Sequence, residues 1–415
     1  MERKISMTTD VLVVGGGPSG LTMALLLANA GLDVICVDQA PKAAQLKTSF
    51  DGRTTAISSA SRFVLEAAGM WDAMMPDAAP ILDIRVADTD SPHFLHFASD
   101  ETDRGAFGWI VENRLMRKAL FDAADKSSLK HIQPSKVEDF EYDGDMVVVT
   151  LSTGEVIATS LLIGADGRHS PTREWADIQT VNWDYKQEAI VCCVEHEEDH
   201  EDVAVEHFMA SGPFAILPMT DDEKGKHRSS IVWTEHDTDA KRYLDLKKKD
   251  FDAELQDRFG PHLGQVKHLG KPMIYPLRFM HAKHYTAKRM ALIGEAAHVI
   301  HPIAGQGLNL SMRDIALLAE LIVDNRRIGL DIGSDVLLKS YSRLRKTDNM
   351  LMGAMTDGLN RLFSNNIPPI KWARTRGMGI VNHVPPLKRF FANQAMGFAN
   401  GNDANLPRIL RGEVL

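Results

Sequence analysis

The residues best suited to chemistry lie in Ala291–Asp314, ALIGEAAHVIHPIAGQGLNLSMRD. A short apolar strand, Ala291–Ile293, leads into Gly294 and the carboxylate of Glu295. A loop with Pro302, Gly305, Gln306 and Gly307 follows. A helix is expected from near Leu308 to about Asp324. The first amides of a helix carry positive partial charge and bind negative groups, here chiefly those of Leu308 and Asn309. Gly305 and Gly307 let the backbone come close to a ligand. Carboxylate, glycine loop and helix start together suit a ligand with a hydroxylated chain and an electron-rich ring. His298 and His301 form H-x-x-H, but two nitrogens on a loop with no third ligand at a supporting spacing argue against a metal.

A second ligand-binding pattern opens the chain. Asp10–Gly20, DVLVVGGGPSG, reads as a strand, a glycine turn and the start of a helix, Leu21–Ala30. A second strand, Asp33–Asp38, follows Gly31. Gly15, Gly17 and Gly20 have the GxGxxG spacing: one tightens the turn, one admits a pyrophosphate, one lets helix and strand pack closely. Asp38 falls about 20 residues on, where a carboxylate accepts hydrogen bonds from a ribose. The order of elements makes this a dinucleotide-binding unit. Arg53, in DGRTTAIS, is placed either to meet a pyrophosphate or simply to be solvated. Arg114 and Arg117 share a helix face, where solvated arginines are the commoner outcome.

The elements that must hold these residues can be read in outline. Ser135–Ile157 alternates apolar positions around turns at Asp143-Gly144 and Thr153-Gly154, as in a β-meander. It runs into Ser160–Arg173, where a buried strand, LLIGA, precedes Asp166-Gly167 and a basic loop. From Val181 to Met280 apolar strands alternate with acidic loops, with one helix at about Tyr243–Phe259, suggesting an inserted antiparallel sheet. Helices are expected from about Asp335 to Phe363. Between Arg361 and Leu415 eight basic residues face two acidic ones, a local +6 interleaved with Phe363, Trp372, Phe390, Phe391 and Phe398. Such a tail can lie on an anionic membrane or a partner, or it can cap the fold with its aromatics turned inward, the favoured reading.

Composition limits the function classes. The 415 residues are 44% hydrophobic and 25% charged, which fits a globular protein of two or three domains. A net charge of −9 argues against general nucleic-acid binding. No secretion signal is read at the N-terminus, and no apolar run reaches the roughly 20 residues of a membrane span. Cys36, Cys192 and Cys193 form no disulfide framework; the last two read as buried thiols in a strand. The expected compartment is the cytoplasm, with a possible position on the inner face of the membrane.

Three motifs in order, GGGPSG, ADG and GEAAHVIHPIAGQGLNLSMRD, resemble the class A flavin monooxygenases, the aromatic hydroxylases. HPIAGQGLN and the run DGLNRLFSNNIPP…VPPLKRFFANQAMG…LPRILRG are similar to the ubiquinone-biosynthesis hydroxylases among them. The resemblance implies an α/β fold with a Rossmann-like, glutathione-reductase-type FAD-binding domain over 1–75, 106–182 and 282–345. It also implies an inserted antiparallel β-sheet substrate domain over 76–105 and 183–281, and a C-terminal helical region over 346–415. It assigns FAD contacts to Gly15, Gly17, Pro18, Ser19, Gly20, Asp38, Arg53, Arg114, Asp166, Gly294, Glu295 and Gln306. Asp166 is also implied in NAD(P)H use. Glu295 stands where the family usually has a shorter aspartate.

The implied reaction uses NAD(P)H and O2 and passes through a C4a-hydroperoxyflavin to hydroxylate a prenylated phenol or quinone precursor. Pro302, Gly305, Gly307, Leu308 and Asn309 form its catalytic loop; Pro302, Ile303 and Ala304 keep water from the reacting face. No base for the phenol identifies itself. Other readings are a halogenase or isoprenoid reductase, or a non-catalytic flavin-binding subunit of a biosynthetic complex. An NAD-dependent dehydrogenase is disfavoured because the accompanying motifs are of flavin type.

Overall fold

Among the described residues, two eight-stranded sheets and one three-stranded sheet make up the β structure of the computed structural model. It describes residues 4–46, 50–88, 94–365, 367, 377–398 and 405–415. Lys371, Trp372, Arg374 and Arg376 of the tail, and Asp403, lie outside the described residues.

The first sheet has a parallel core. Val34–Val37, Met7–Val14, Val156–Gly164 and Met290–Leu292 lie side by side, with Lys130–Ile132 on the outer edge of Val34–Val37. Their apolar runs are buried on both faces, as parallel strands covered on each side must be. Val156–Gly164 pairs antiparallel with Met146–Leu151 through its first half (Val147 opposite Thr159). Its second half runs parallel to Met290–Leu292 (Ile163 opposite Ala291). The meander and the strand before Asp166 are thus one continuous element. The Pro18–Asn29 and Gln306–Arg327 helices pack together against this sheet.

The second sheet is built on the 17-residue strand Thr180–His196, flanked by Lys267–Ala282 and His227–His236. Beyond these come Gly212–Met219, Val203–Met209, Asp83–Asp88 and Phe94–Ala98. The sheet is antiparallel except where Val203–Met209 runs parallel to Asp83–Asp88. The helix expected over Tyr243–Phe259 is two, Asp237–Leu244 and Lys248–Phe259. Ala240 and Tyr243 from one and Phe251, Leu255 and Phe259 from the other bury around Trp233, and the break at Asp245–Lys247 lets both helices lie on the sheet.

The stretch Met290–Arg327 joins the two halves. Met290–Leu292 belongs to the first sheet, His298–Val299 pairs with His281 and Met280 in the second, and the helix after it enters the main core. The C-terminal region behaves as an inward-facing cap: Phe363 and Phe398 are buried, and Phe391 packs on the core. Its described basic residues are largely neutralised locally. Arg361 pairs with Asp357, Lys388 with Glu101, Arg408 with Asp324, and Arg411 with Glu413.

Candidate functional site

The three motifs, far apart in sequence, meet in space. Gly15 has φ +108°, and a Cβ there would sit 2.4 Å from the Ala165 carbonyl oxygen, so the glycine turn touches the ADG segment. Gly294 has φ +59°, and a Cβ there would lie 3.0 Å from Ser19 Oγ and 2.9 Å from Ser311 Oγ. The third motif is therefore pressed on the first helix turn, where Pro18 opens the helix. A side chain on Gly20 would overlap the Gly15 carbonyl at 1.8 Å. By contrast, an added Cβ on Gly17 or on Gly307 meets, beyond its own chain neighbours and helix backbone, no atom of the described residues within 4 Å. Those two glycines face open space, as backbone that cradles a ligand should.

Asp38 closes the far end. Its Oδ2 accepts from Gly16 N at 2.5 Å, and Oδ1 from Ala40 N at 2.7 Å and Gln45 Nε2 at 3.1 Å. From Gln45 the contacts continue: Arg117 Nε donates to the Gln45 carbonyl at 3.0 Å and its NH2 to Asp51 Oδ2 at 2.9 Å. Arg53 NH2 meets the same oxygen at 2.7 Å. Arg53 is thereby tied to the Asp38 end, and Arg117, read as a solvated arginine, is part of the same chain. Arg114 Nε donates to Glu112 Oε2 at 2.6 Å, while Arg228 NH1 donates to Glu112 Oε1 at 3.1 Å.

Asp166 follows the Ala165 carbonyl that the glycine turn touches. Its Oδ2 accepts from Thr172 N at 2.9 Å and Thr172 Oγ1 at 2.7 Å, and its Oδ1 from Ser170 Oγ. These bonds use the carboxylate to shape the loop before the Pro171–Trp175 helix. Arg173, which the sequence did not mark, is buried and donates to the carbonyls of Ala296 (2.9 Å) and Arg168 (3.0 Å). It fastens this loop to the Glu295 turn. Glu295 is half exposed, and its Oε2 lies 3.5 Å from Arg168 Nε.

The helix begins two residues earlier than expected, spanning Gln306–Arg327 with Gly305 as its N-cap at φ +61°. In that register the amide of Asn309 falls opposite the Gly305 carbonyl, so the available positive end shifts to Gly307 and Leu308. The Asn309 side chain has a structural task instead. Its Nδ2 donates to the carbonyls of Ala56 (3.1 Å) and Gly305 (3.0 Å), and its Oδ1 accepts from Ser58 N at 2.9 Å. This fixes the loop against the Thr54–Ser58 strand.

Behind the loop lies a buried network centred on Asp314. Asp314 Oδ2 accepts from Gly294 N (3.0 Å) and His298 Nε2 (2.6 Å); Oδ1 accepts from Arg345 Nε (2.8 Å) and Asn349 Nδ2 (3.1 Å). Burial opposes its charge, but His298 and Arg345 outweigh that and hold the carboxyl well below the usual range. The His298 ring is thus committed to Asp314. His301 is fully buried edge-on to Tyr185, and burial pushes it down to about 4.

The loop forms the floor of a cavity of about 830 Å³. Pro302, Ile303, Gly305, Gln306, Gly307 and Leu308 line one side, and Arg168 and Glu295 stand at its edge. The roof is the second sheet, with Val86, Phe97, Phe208, Leu217 and Val232; Phe363 and Met378 close the C-terminal side. Such a volume with mostly apolar walls is that of a small-molecule site. Open backbone at Gly17 and Gly307, a helix start between them and the cavity, and carboxylates at both ends fit FAD.

The FAD binding domain family model matches residues 8–351. Ubiquinone hydroxylase UbiL of Rhodospirillum rubrum is 45% identical over 407 residues, covering 98% of this chain and 93% of that protein. The 3-demethoxyubiquinol 3-hydroxylase of Escherichia coli is 32% identical over 392 residues, covering 94% and 98%. Among solved structures, p-nitrophenol 4-monooxygenase PnpA of Pseudomonas putida superposes with TM-score 0.77 at 18% identity, covering 95% and 100%, a likeness of fold. The fold is that of the class A FAD-dependent aromatic monooxygenases. Within that class, the chain belongs to the ubiquinone-biosynthesis hydroxylases. This decides against the halogenase, reductase and non-catalytic readings.

Proposed function

We propose that the protein hydroxylates the aromatic ring of a polyprenylated phenol on the route to ubiquinone, with NAD(P)H as reductant and O2 as oxygen source. The observation that carries this is the cavity: a glycine loop and helix start on one side, an apolar sheet face opposite, and space for a ring and the beginning of a prenyl chain.

Gly15, Gly17, Pro18, Ser19 and Gly20 would hold the FAD pyrophosphate, with Asp38 at the adenosine ribose. Arg53 and Arg114 support that side, and Gly294, Glu295 and Gln306 meet the ribityl chain. Bound FAD supplies the redox and oxygen-transfer chemistry. Gly307 and Leu308 present amides that stabilise negative charge arising on the ring system. Pro302 and Ile303, against Phe208 and Phe363, exclude water from the reacting face. Asp314 keeps the Gly294 turn in place, and Asp166 and Arg173 do the same for the loop beside it.

The cavity reaches Leu359, Leu362, Met378 and Val381, beside exposed Ile367, Ile380 and Val384. This supports exit of the prenyl tail along the C-terminal helices and contact of that face with a membrane surface. Among the described residues no helix is long and apolar enough to cross a membrane. The test is turnover of FAD-loaded protein with NAD(P)H, isotope-labelled O2 and a geranyl-substituted phenol. One labelled oxygen atom in the ring is expected; NAD(P)H oxidation that yields only H2O2 with every prenylated phenol tried refutes the reading.

A further inference from the structure

Glu206 is a carboxylate on an apolar sheet face. It shares that face of the Val203–Met209 strand with Ala204 and Phe208, and its cross-strand neighbours are Ala215 and Val86. All five of these residues line the cavity. Phe208 packs on Ile303 of the loop, so Glu206 stands about 7 Å along the strand from the group that touches the cavity floor. A phenol ring spans a comparable length.

Several other polar groups on this wall have partners, although the buried Thr234 Oγ1 has none among the described residues. Thr54 Oγ1 donates to Ser230 Oγ at 2.6 Å, Arg278 pairs with Asp184 at 2.8 Å, and Arg168 with Glu295. No hydrogen bond or ion pair to Glu206 is found among the described residues. An acceptor held in an apolar cavity without a partner carries a desolvation cost that a ligand donor relieves.

Resting on the phenol reading above, we propose that Glu206 is a catalytic residue that binds the substrate hydroxyl and accepts its proton. The phenolic O–H bond breaks, the proton moves to the Glu206 carboxylate, and the electron pair stays on the phenolate oxygen. That pair raises electron density at the ortho and para carbons, one of which forms the new C–O bond. The oxygen atom comes from O2 and the two electrons from NAD(P)H, with the second oxygen leaving as water. The ring regains aromaticity by losing the proton on the substituted carbon. Glu206 then returns its own proton to the phenolate oxygen and is reset.

Burial alone pushes the Glu206 carboxyl up to about 7, into the range where it can exchange a proton with a substrate. The loop and C-terminal helices packed over this face present Ile303, Leu359, Phe363 and Met378. The charged and titratable groups elsewhere on the cavity wall are Arg168, Glu295, Arg278 and Tyr275. Asp88 is buried beside Phe208 at the end of its strand and does not line the cavity. A base must be deprotonated to act, so activity falls as pH drops through about 7.

The experiment compares wild type, Glu206→Gln and Glu206→Leu, each loaded with FAD, on a geranyl-substituted phenol and on its O-methyl ether. FAD content and thermal unfolding monitor the fold. With the phenol, Glu206→Gln is expected to lose on the order of 100-fold in hydroxylated product per NAD(P)H consumed. The acid limb near pH 7 should vanish, and product should rise toward the phenol's own pKa of about 10. With the ether, which has no proton to give, wild type and variants should be equally poor. A variant within threefold of wild type on the phenol, with the same acid limb, overturns the role. So does an equal proportional loss on both probes, which marks a structural effect. A wild type that hydroxylates neither probe overturns the phenol reading, and this role with it.

Discussion

Replacing Gly307 with valine separates what the protein needs to fold from what it needs to hold its cofactor. Gly307 is the second residue of the Gln306–Arg327 helix, and beyond its own helix backbone a Cβ there meets no atom of the described residues within 4 Å. Glycine is about 1 kcal/mol and valine about 0.6 kcal/mol less favourable than alanine in a helix. Gly307→Val should therefore stabilise the cofactor-free protein by a few tenths of a kcal/mol. The space its side chain fills is the space assigned to the flavin ring. At an FAD concentration about 100 times Kd, ligand linkage adds about 2.7 kcal/mol to wild-type stability, and the variant should lose that increment and its yellow colour. Urea denaturation with and without FAD reads both quantities, and product analysis reads turnover. A variant that keeps the FAD-dependent increment within about 0.5 kcal/mol and still hydroxylates refutes the assignment of this loop to the ring. Gly20→Ala is the contrasting case. Its Cβ would overlap the Gly15 carbonyl at 1.8 Å, so it should unfold the cofactor-free protein as well.

Asp314→Ala should cost about 3–5 kcal/mol in denaturant unfolding, because it leaves Arg345 and His298 buried without their shared carboxylate; a loss under about 1 kcal/mol would show that the network relaxes freely. His281 and His301 are both pushed down to about 4 by burial, from an ordinary value of 6.5. The unfolded chain then binds more protons between those values, so stability falls as pH drops from about 6.5 to 4, by up to about 3 kcal/mol per histidine. Urea midpoints across that range for wild type and His301→Asn measure the slope, which should be shallower in the variant. Ile380→Glu with Val384→Glu should weaken co-sedimentation with phospholipid vesicles. Of the described basic residues nearby, Arg361 and Lys388 are already paired and Arg389 is exposed, so the salt dependence of wild-type binding should be shallow; a steep one would place the attraction in charge instead.

The local conformations around the cofactor follow from short-range rules, and they were legible. A GxGxxG turn needs its glycines because a Cβ at Gly15 or Gly20 collides with backbone, a fact of spacing along the chain. The strand before Asp166 and the meander feeding it appear as apolar alternation. The same holds for the inward packing of Phe363, Phe391 and Phe398, which burial favours whatever the neighbouring charges. Two boundaries shifted because tertiary contacts set them. Asn309 ties the loop to Thr54–Ser58 and starts the helix at Gln306, and Trp233 draws two helices from one expected segment.

The sequence by itself determined the parallel nucleotide fold, the glycine positions and the family, because each depends on residue types at fixed separations. Tertiary structure alone decided which carboxylate does what. Asp166 is turned into its own loop by Ser170 and Thr172, Asp314 is drawn into a buried network with residues up to 35 positions away, and Glu206 is left facing a cavity. A carboxylate's role depends on the donors and the solvent around it, and those are brought together only when distant strands and helices close on one another.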